Sequence, residues 1–190
     1  MSPITHFLVS WCVADELGLP ARERAIVAVA GVAADLDGLP VALDLANRLL
    51  GRPETFYYGT LHHWLGHGLP AAVVVAAVAA LLASRRFLAA GMSLLVFHLH
   101  LLCDLVGARG PAPEDIWPVY YLAPLSWRPE LAWSGQWELN AWPNIVLTLL
   151  LLSLVFVRAV ERGYSPVGLV STRADRAFVD TLRRRFGRQP

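Results

Sequence analysis

The feature that most constrains this chain is the stretch Phe87–Val106, which runs for 20 residues with no Arg, Lys, Glu or Pro and a single carboxylate. As a helix it would be about 30 Å long, the thickness of a bilayer's hydrocarbon core. A second run, Asn144–Val160, opens after Pro143 and closes among Arg158, Glu161 and Arg162, as a span with wetted ends does. Three shorter runs, Ile4–Leu17, Ala25–Ala34 and Leu69–Ala83, are expected to tilt, to thin the bilayer, or to pack as buried helices. With 56% of 190 residues hydrophobic and only 16% charged, a disordered chain and a nucleic-acid-binding arm are excluded.

The runs are separated by turn chemistry: Gly18-Leu19-Pro20, Asp37-Gly38-Leu39-Pro40, Gly66-His67-Gly68-Leu69-Pro70, and Gly107 to Pro113. Between Val41 and Leu50, apolar positions at helical spacing face Asp44, Asn47 and Arg48, which predicts a short interfacial helix. The expected fold is therefore all-α, a compact helical membrane bundle of about five hydrophobic helices plus short interfacial helices. Residues 1–170 read as one domain and 171–190 as an Arg-rich amphipathic tail. Cys12 and Cys103 each lie in an apolar run, so neither a disulfide framework nor a cysteine zinc motif is expected. The first run lacks a basic flank and a small-residue cleavage site, so it is expected to be retained.

All 16 basic residues are Arg. Arg22 and Arg24, Arg85 and Arg86, and the tail fall on one face of an up-and-down chain, which the positive-inside rule makes cytoplasmic. A multi-pass protein of a bacterial-type inner membrane is expected, in contact with membrane lipids and without nucleic acid as partner.

Chemistry is concentrated on the opposite face. Asp35-Leu36-Asp37 ends the second run and supplies hard oxygen donors. His62-His63-Trp64-Leu65-Gly66-His67 precedes the third run and supplies imidazoles suited to zinc. Within the fourth run His100 and Asp104 are i, i+4 neighbours on one helix face, whereas His98 points elsewhere. Ionisable groups inside a membrane segment are costly and mark function. Alternating helix directions bring these motifs, and His6 with them, to one end of the bundle. His6, Asp35, Asp37, His62, His67, His100 and Asp104 are the expected metal ligands, with His63 and His98 in supporting or structural roles.

Together Thr5-His6, Gly31 with Asp35-Leu36-Asp37, the His62-x4-His67 pair, and His100-x3-Asp104 followed by Gly110 and Trp117-Pro118 resemble the membrane-bound metal-dependent hydrolases, the group that includes the LexA-binding, inner-membrane-associated hydrolases. The resemblance covers about residues 5 to 118. It implies a helical membrane protein holding one or two divalent ions, zinc foremost, that hydrolyses an ester or phosphoester. The family's Pro before Asp-x-Asp is Ala34 here, and its His-Arg-Gly-x-Thr-His-Ser stretch is replaced by one with His63, Trp64, Gly66 and Gly68. A looser likeness links the His-x3-Asp pair to the helical zinc phospholipase C and P1 nuclease group.

In such a site a metal lowers the pKa of bound water toward about 7, and Asp35 or Asp37 acts as the base. Trp117, Trp127, Trp133, Trp137 and Trp142, with Tyr120 and Tyr121, fill the 107–143 loop and form either an aromatic belt or a lid, so a lipid or another amphipathic ester or phosphoester is the expected substrate. The alternative is a metal-binding membrane protein without turnover, a carrier or sensor.

Overall fold

A computed structural model describes residues 1–62 and 64–187. The chain folds as eight α-helices in the described residues: α1 Pro3–Glu16, α2 Ala21–Ala30, α3 Val41–Leu49, α4 Tyr57–Leu61, α5 Leu69–Leu82, α6 Arg86–Gly107, α7 Trp142–Arg162 and α8 Thr172–Phe186. Among the described residues the sheet is one two-residue antiparallel ladder, β1 Val119–Tyr120 against β2 Glu130–Leu131. The fold is thus mostly helical, as its apolar runs require.

Among the described residues two helices, α6 and α7, are clear candidates to cross a membrane, in place of the five hydrophobic helices expected. The short runs explain the difference: α1 and α5 have 14 residues each and α2 has 10, fewer than the roughly 20 a span needs. Helix α2 and the segment Ala34–Leu49 together reach the required length, but a 45° bend separates them. The apolar surface is extensive on α5, α6 and α7, with Val74, Leu81, Phe87, Leu149 and Leu150 all exposed. Such a surface suits a hydrocarbon surround and not water.

Helix ends follow local chemistry. Ser2 caps α1 by accepting from Thr5 N–H, Pro3 takes the first helical position, and Ser171 caps α8 through Ala174 N–H. Gly163 closes α7 in the left-handed conformation at φ 80°, its N–H on Ala159 O. Helix α5 packs along α6, and its buried residues Ala72, Ala76 and Ala79 are small enough to let the two backbones approach closely. Cores of Ala14, Leu19, Val27 and Val96, and of Ala34, Ala72, Phe97, Leu101 and Val119, tie α1, α2, α5 and α6 together. Helix α7 joins through Leu8, Trp11 and Val155, and through Thr5 Oγ1 and Thr148 Oγ1 at 2.7 Å.

The bundle has two chemically distinct ends. At one end lie the start of α1, the close of α2, the segment entering α5, the last turn of α6 and the start of α7. At the other, Arg85 N–H donates to Glu23, Arg24 covers Tyr164 at 3.7 Å, Arg162 pairs with Asp15 at 3.1 Å, and Arg183 Nε donates to Val160 O.

Candidate metal centre

Seven side chains singled out from the sequence meet at the first of these ends, brought by four segments. Pro3–Glu16 carries His6, the 3-10 turn Ala34–Gly38 carries Asp35 and Asp37, the approach to α5 carries His62 and His67, and α6 carries His100 and Asp104. His6, His67, His100 and Asp104 are buried. His63 lies outside the described residues. His98 is directed away from the cluster: its Nδ1–H donates to Leu94 O at 2.7 Å and its Nε2 meets Tyr121 Oη at 3.0 Å.

Four donor atoms form the centre. His100 Nε2 is 3.0 Å from Asp104 Oδ2, 3.3 Å from His67 Nε2 and 3.8 Å from Asp35 Oδ1; His67 Nε2 is 3.5 Å from Asp104 Oδ2. Donors that hold a tetrahedral zinc at about 2.0–2.1 Å stand about 3.3–3.4 Å from one another. The separations among His67, His100 and Asp104, 3.0–3.5 Å, lie close to that spacing, and Asp35 Oδ1 stands farther out from His100 at 3.8 Å.

Tautomers are set from outside the centre. His100 Nδ1 lies 2.9 Å from Gly31 O, and a carbonyl only accepts, so Nδ1 bears the proton and a neutral ring presents a bare Nε2 inward. That bare nitrogen faces the Asp104 carboxylate at hydrogen-bond distance, an arrangement that needs a proton or a cation between two acceptors. His67 is oriented the same way by Asp37, whose Oδ2 accepts from His67 Nδ1–H at 3.0 Å. Asp37 is held by three donors: Oδ2 also accepts from Gly66 N–H at 2.9 Å, and Oδ1 accepts from His62 Nδ1–H at 2.8 Å. Asp35 is its opposite, with Oδ2 buried and lacking a hydrogen-bond partner among the described residues. An orphaned carboxylate oxygen beside two inward-facing imidazoles is what a cation site requires.

Asp35 and Asp37 part company because α2 ends at Ala30 and they lie on a 3-10 turn, where residues two apart project in different directions. His6 approaches from the far side, Nε2 at 3.1 Å from Asp104 Oδ1, its ring stacked on that of His100 with centroids 3.6 Å apart. The Met1 nitrogen contacts the same Asp104 oxygen. Three donor groups able to hold an ion result: His6, His100 and Asp104; Asp35, His67 and His100; and Asp37, His62 and His67.

Charge balance shows at His67, which lies between helices. Burial disfavours its charged form, but the carboxylates of Asp104 and Asp37 outweigh burial and raise its pKa to about 9.

Several supporting groups carry no metal-ligand signature and are invisible to motif reading. Gln136 Nε2 donates to Asp104 O at 2.8 Å and to Trp117 O at 3.1 Å while its Oε1 accepts from Trp117 N–H, fastening the aromatic loop to the last turn of α6. Asn144 donates to Gly107 O and Leu139 O and accepts from Trp137 Nε1. Two glycines make the close approaches possible. A Cβ on Gly31 would lie 1.7 Å from Ser10 Oγ, and one on Gly66 would lie 2.3 Å from Ala34 O and 2.9 Å from the Asp37 carboxylate. No family model, no curated protein and no solved structure matches the chain, so the functional reading rests on the geometry of these side chains and on their motifs.

Proposed function

We propose that this protein is a membrane-embedded metal-dependent hydrolase acting on an ester or phosphoester. The observation that carries the reading is the inward convergence of His67 Nε2, His100 Nε2 and Asp104 Oδ2 within 3.0–3.5 Å of one another, with Asp35 beside His100 and each imidazole's outer nitrogen held by a fixed acceptor. These side chains would hold one ion. His6 forms an alternative group with Asp104 and His100 around the same place, because His100 offers a single free nitrogen, Nε2. A divalent ion held there supplies Lewis acidity toward the scissile group and lowers the pKa of water toward about 7.

The chain's own residues then divide the remaining work. Asp35 Oδ2, buried and without a hydrogen-bond partner among the described residues, is the atom that takes up a proton. Asp37 is a positioning residue: it fixes His67 and His62 and touches nothing that reacts. His100 is held by Gly31 O, which accepts from Nδ1–H and turns Nε2 inward. Gln136 and Asn144 close the aromatic loop over the end of α6 and limit access by water.

Metal analysis of the purified protein, followed by a panel of carboxylic esters, phosphomonoesters and phosphodiesters in detergent, tests the reading. The expected result is stoichiometric zinc or a related ion and turnover of at least one class, both lost in His100→Ala. Folded protein without bound metal would overturn it. Bound metal with no turnover across the panel would leave a metal carrier or sensor instead.

A further inference from the structure

Beside the metal centre lies a cleft of about 380 Å³ whose walls are the rings of Phe56, Tyr58, Trp64, Trp117 and Tyr120. Among the described lining residues Asp115, which is exposed, is the one carboxylate, and there is no Arg or Lys. The rings are braced from behind. Trp127 packs on Trp64 at 4.8 Å and meets Tyr120 edge-on at 5.6 Å, while Tyr58 stacks on His62 at 4.5 Å.

An anionic group would find no cationic partner here, and an acyl chain would gain nothing from Asp115. A ring-walled cleft with one carboxylate and no basic residue has the chemistry that holds a quaternary ammonium: aromatic faces attract the diffuse cation, and the carboxylate adds a countercharge at the rim. We infer that the cleft binds the trimethylammonium head of a membrane lipid. A lipid is the source the surroundings favour, since the cleft opens at the end of the spanning candidate α6 where Trp117 is fastened to its last turn.

The cleft and the metal centre share a wall. His62 lines the cleft, and its Nδ1–H donates to the same Asp37 carboxylate that orients His67. A head group seated among the rings therefore lies next to the donors, and the neighbouring phosphoester of the same lipid becomes the bond within reach. This last step rests on the hydrolase reading; the binding does not.

The test uses the full chain, stripped of metal with a chelator, in phosphatidylglycerol nanodiscs, titrated with choline and with dimethylbutanol, its uncharged carbon isostere. Choline should bind saturably and at least about tenfold more tightly than the isostere. Trp117→Leu and Asp115→Asn should each weaken choline by about fivefold or more, and the exposed Asp115 can change without disturbing a buried contact. In phosphatidylcholine nanodiscs the apparent affinity for choline should drop, because lipid heads compete for the cleft. Equal binding of the isostere, no saturable binding, or choline affinity unchanged in Asp115→Asn would overturn the cleft as a cation site. Equal choline affinity in the two lipids would overturn the lipid as its source. Because metal is absent throughout, a failed hydrolase reading leaves this result standing, and turnover of choline-free esters alone would leave the hydrolase reading standing without it.

Discussion

Asp35 and Asp37, two residues apart, differ in what an amide would do to each. Asn in place of Asp35 keeps an oxygen but cannot take up a proton, and it removes the charge that the buried oxygen offers a cation. Asp35→Asn should therefore abolish turnover and weaken metal binding, measured by competition against a chromophoric chelator. In Asp37→Asn one oxygen is replaced by a donor, so the side chain can no longer accept from both His62 Nδ1 and His67 Nδ1. Metal affinity should fall by about 10- to 100-fold, the usual cost of losing a carboxylate behind a ligating histidine. Equal losses in the two variants would erase the division of labour. The pH dependence follows from His67, which faces Asp37, Asp104, His62 and His100. Its pKa is raised above the ordinary 6.5 to about 9, so metal-free protein gains stability from its proton below pH 6.5 and loses that gain as pH climbs toward 9. Thermal melts of chelated protein should decline over that window, and metal affinity should rise over it as the competing proton leaves. A flat melting profile between pH 6.5 and 9 would show that His67 carries no such proton. At this scale the sequence is legible where spacing acts alone, as in the i, i+4 pair His100 and Asp104. It is silent on which of Asp35 and Asp37 turns inward, because a 3-10 turn of five residues, set by the end of α2 and by Gly66 N–H, decides it.

The crossing of α1 and α2 shows how elements hold this chemistry. Gly31, just past the end of α2, lies so close to Ser10 of α1 that an added methyl would overlap its hydroxyl, and the Gly31 carbonyl is the group that fixes the His100 tautomer. Gly31→Ala should cost about 1–3 kcal/mol of stability by overpacking, and should weaken metal binding by displacing the carbonyl. Clearing the space with Ser10→Gly in the same chain should restore metal affinity even though a glycine inside α1 costs about 1 kcal/mol more. If the double variant binds metal no better than Gly31→Ala, the carbonyl is not what the substitution disturbs. Helix existence is legible from the apolar runs, since their length and their Gly-Pro breaks act locally. The number of spans is not, because an apolar helix of 10 to 14 residues looks alike whether it crosses lipid or packs on a neighbour. The difference appears only in the packing: α5 lays its alanines on α6, and α1 and α2 lie against each other across Gly31. Gln136 and Asn144 escape motif reading for a related reason, since their partners are backbone carbonyls that carry no sequence identity.

On the scale of the whole molecule, charge and chemistry are separated along the helix axes. The metal donors occupy the end where α6 finishes and α7 starts, while Arg22, Arg24, Arg85, Arg86, Arg158, Arg162 and the Arg-rich turn of α8 gather at the other. Helix α8 is fixed there by Ser165 N–H and Oγ donating to Asp175, by Phe156 against Phe178 at 5.8 Å, and by Arg183 on Val160 O. None of these contacts reaches the donors, so removing residues from Arg173 onward should leave metal content unchanged while lowering the melting temperature. The same polarity predicts an orientation. Moving an Arg cluster across a bilayer is strongly opposed, and an anionic cytoplasmic leaflet attracts each Arg near it by about 1 kcal/mol, so the Arg-rich end should remain cytoplasmic and the donors and aromatic cleft should face the opposite side. Single cysteines introduced at Asp115 and at Arg173 in a chain lacking Cys12 and Cys103 read this directly with a membrane-impermeant maleimide on intact cells. Labelling is expected at Asp115 and not at Arg173 until the membrane is opened. The reverse pattern would put the metal centre on the cytoplasmic side. Labelling of both in intact cells would mean that α6 and α7 do not separate the two ends across a membrane, whatever their length.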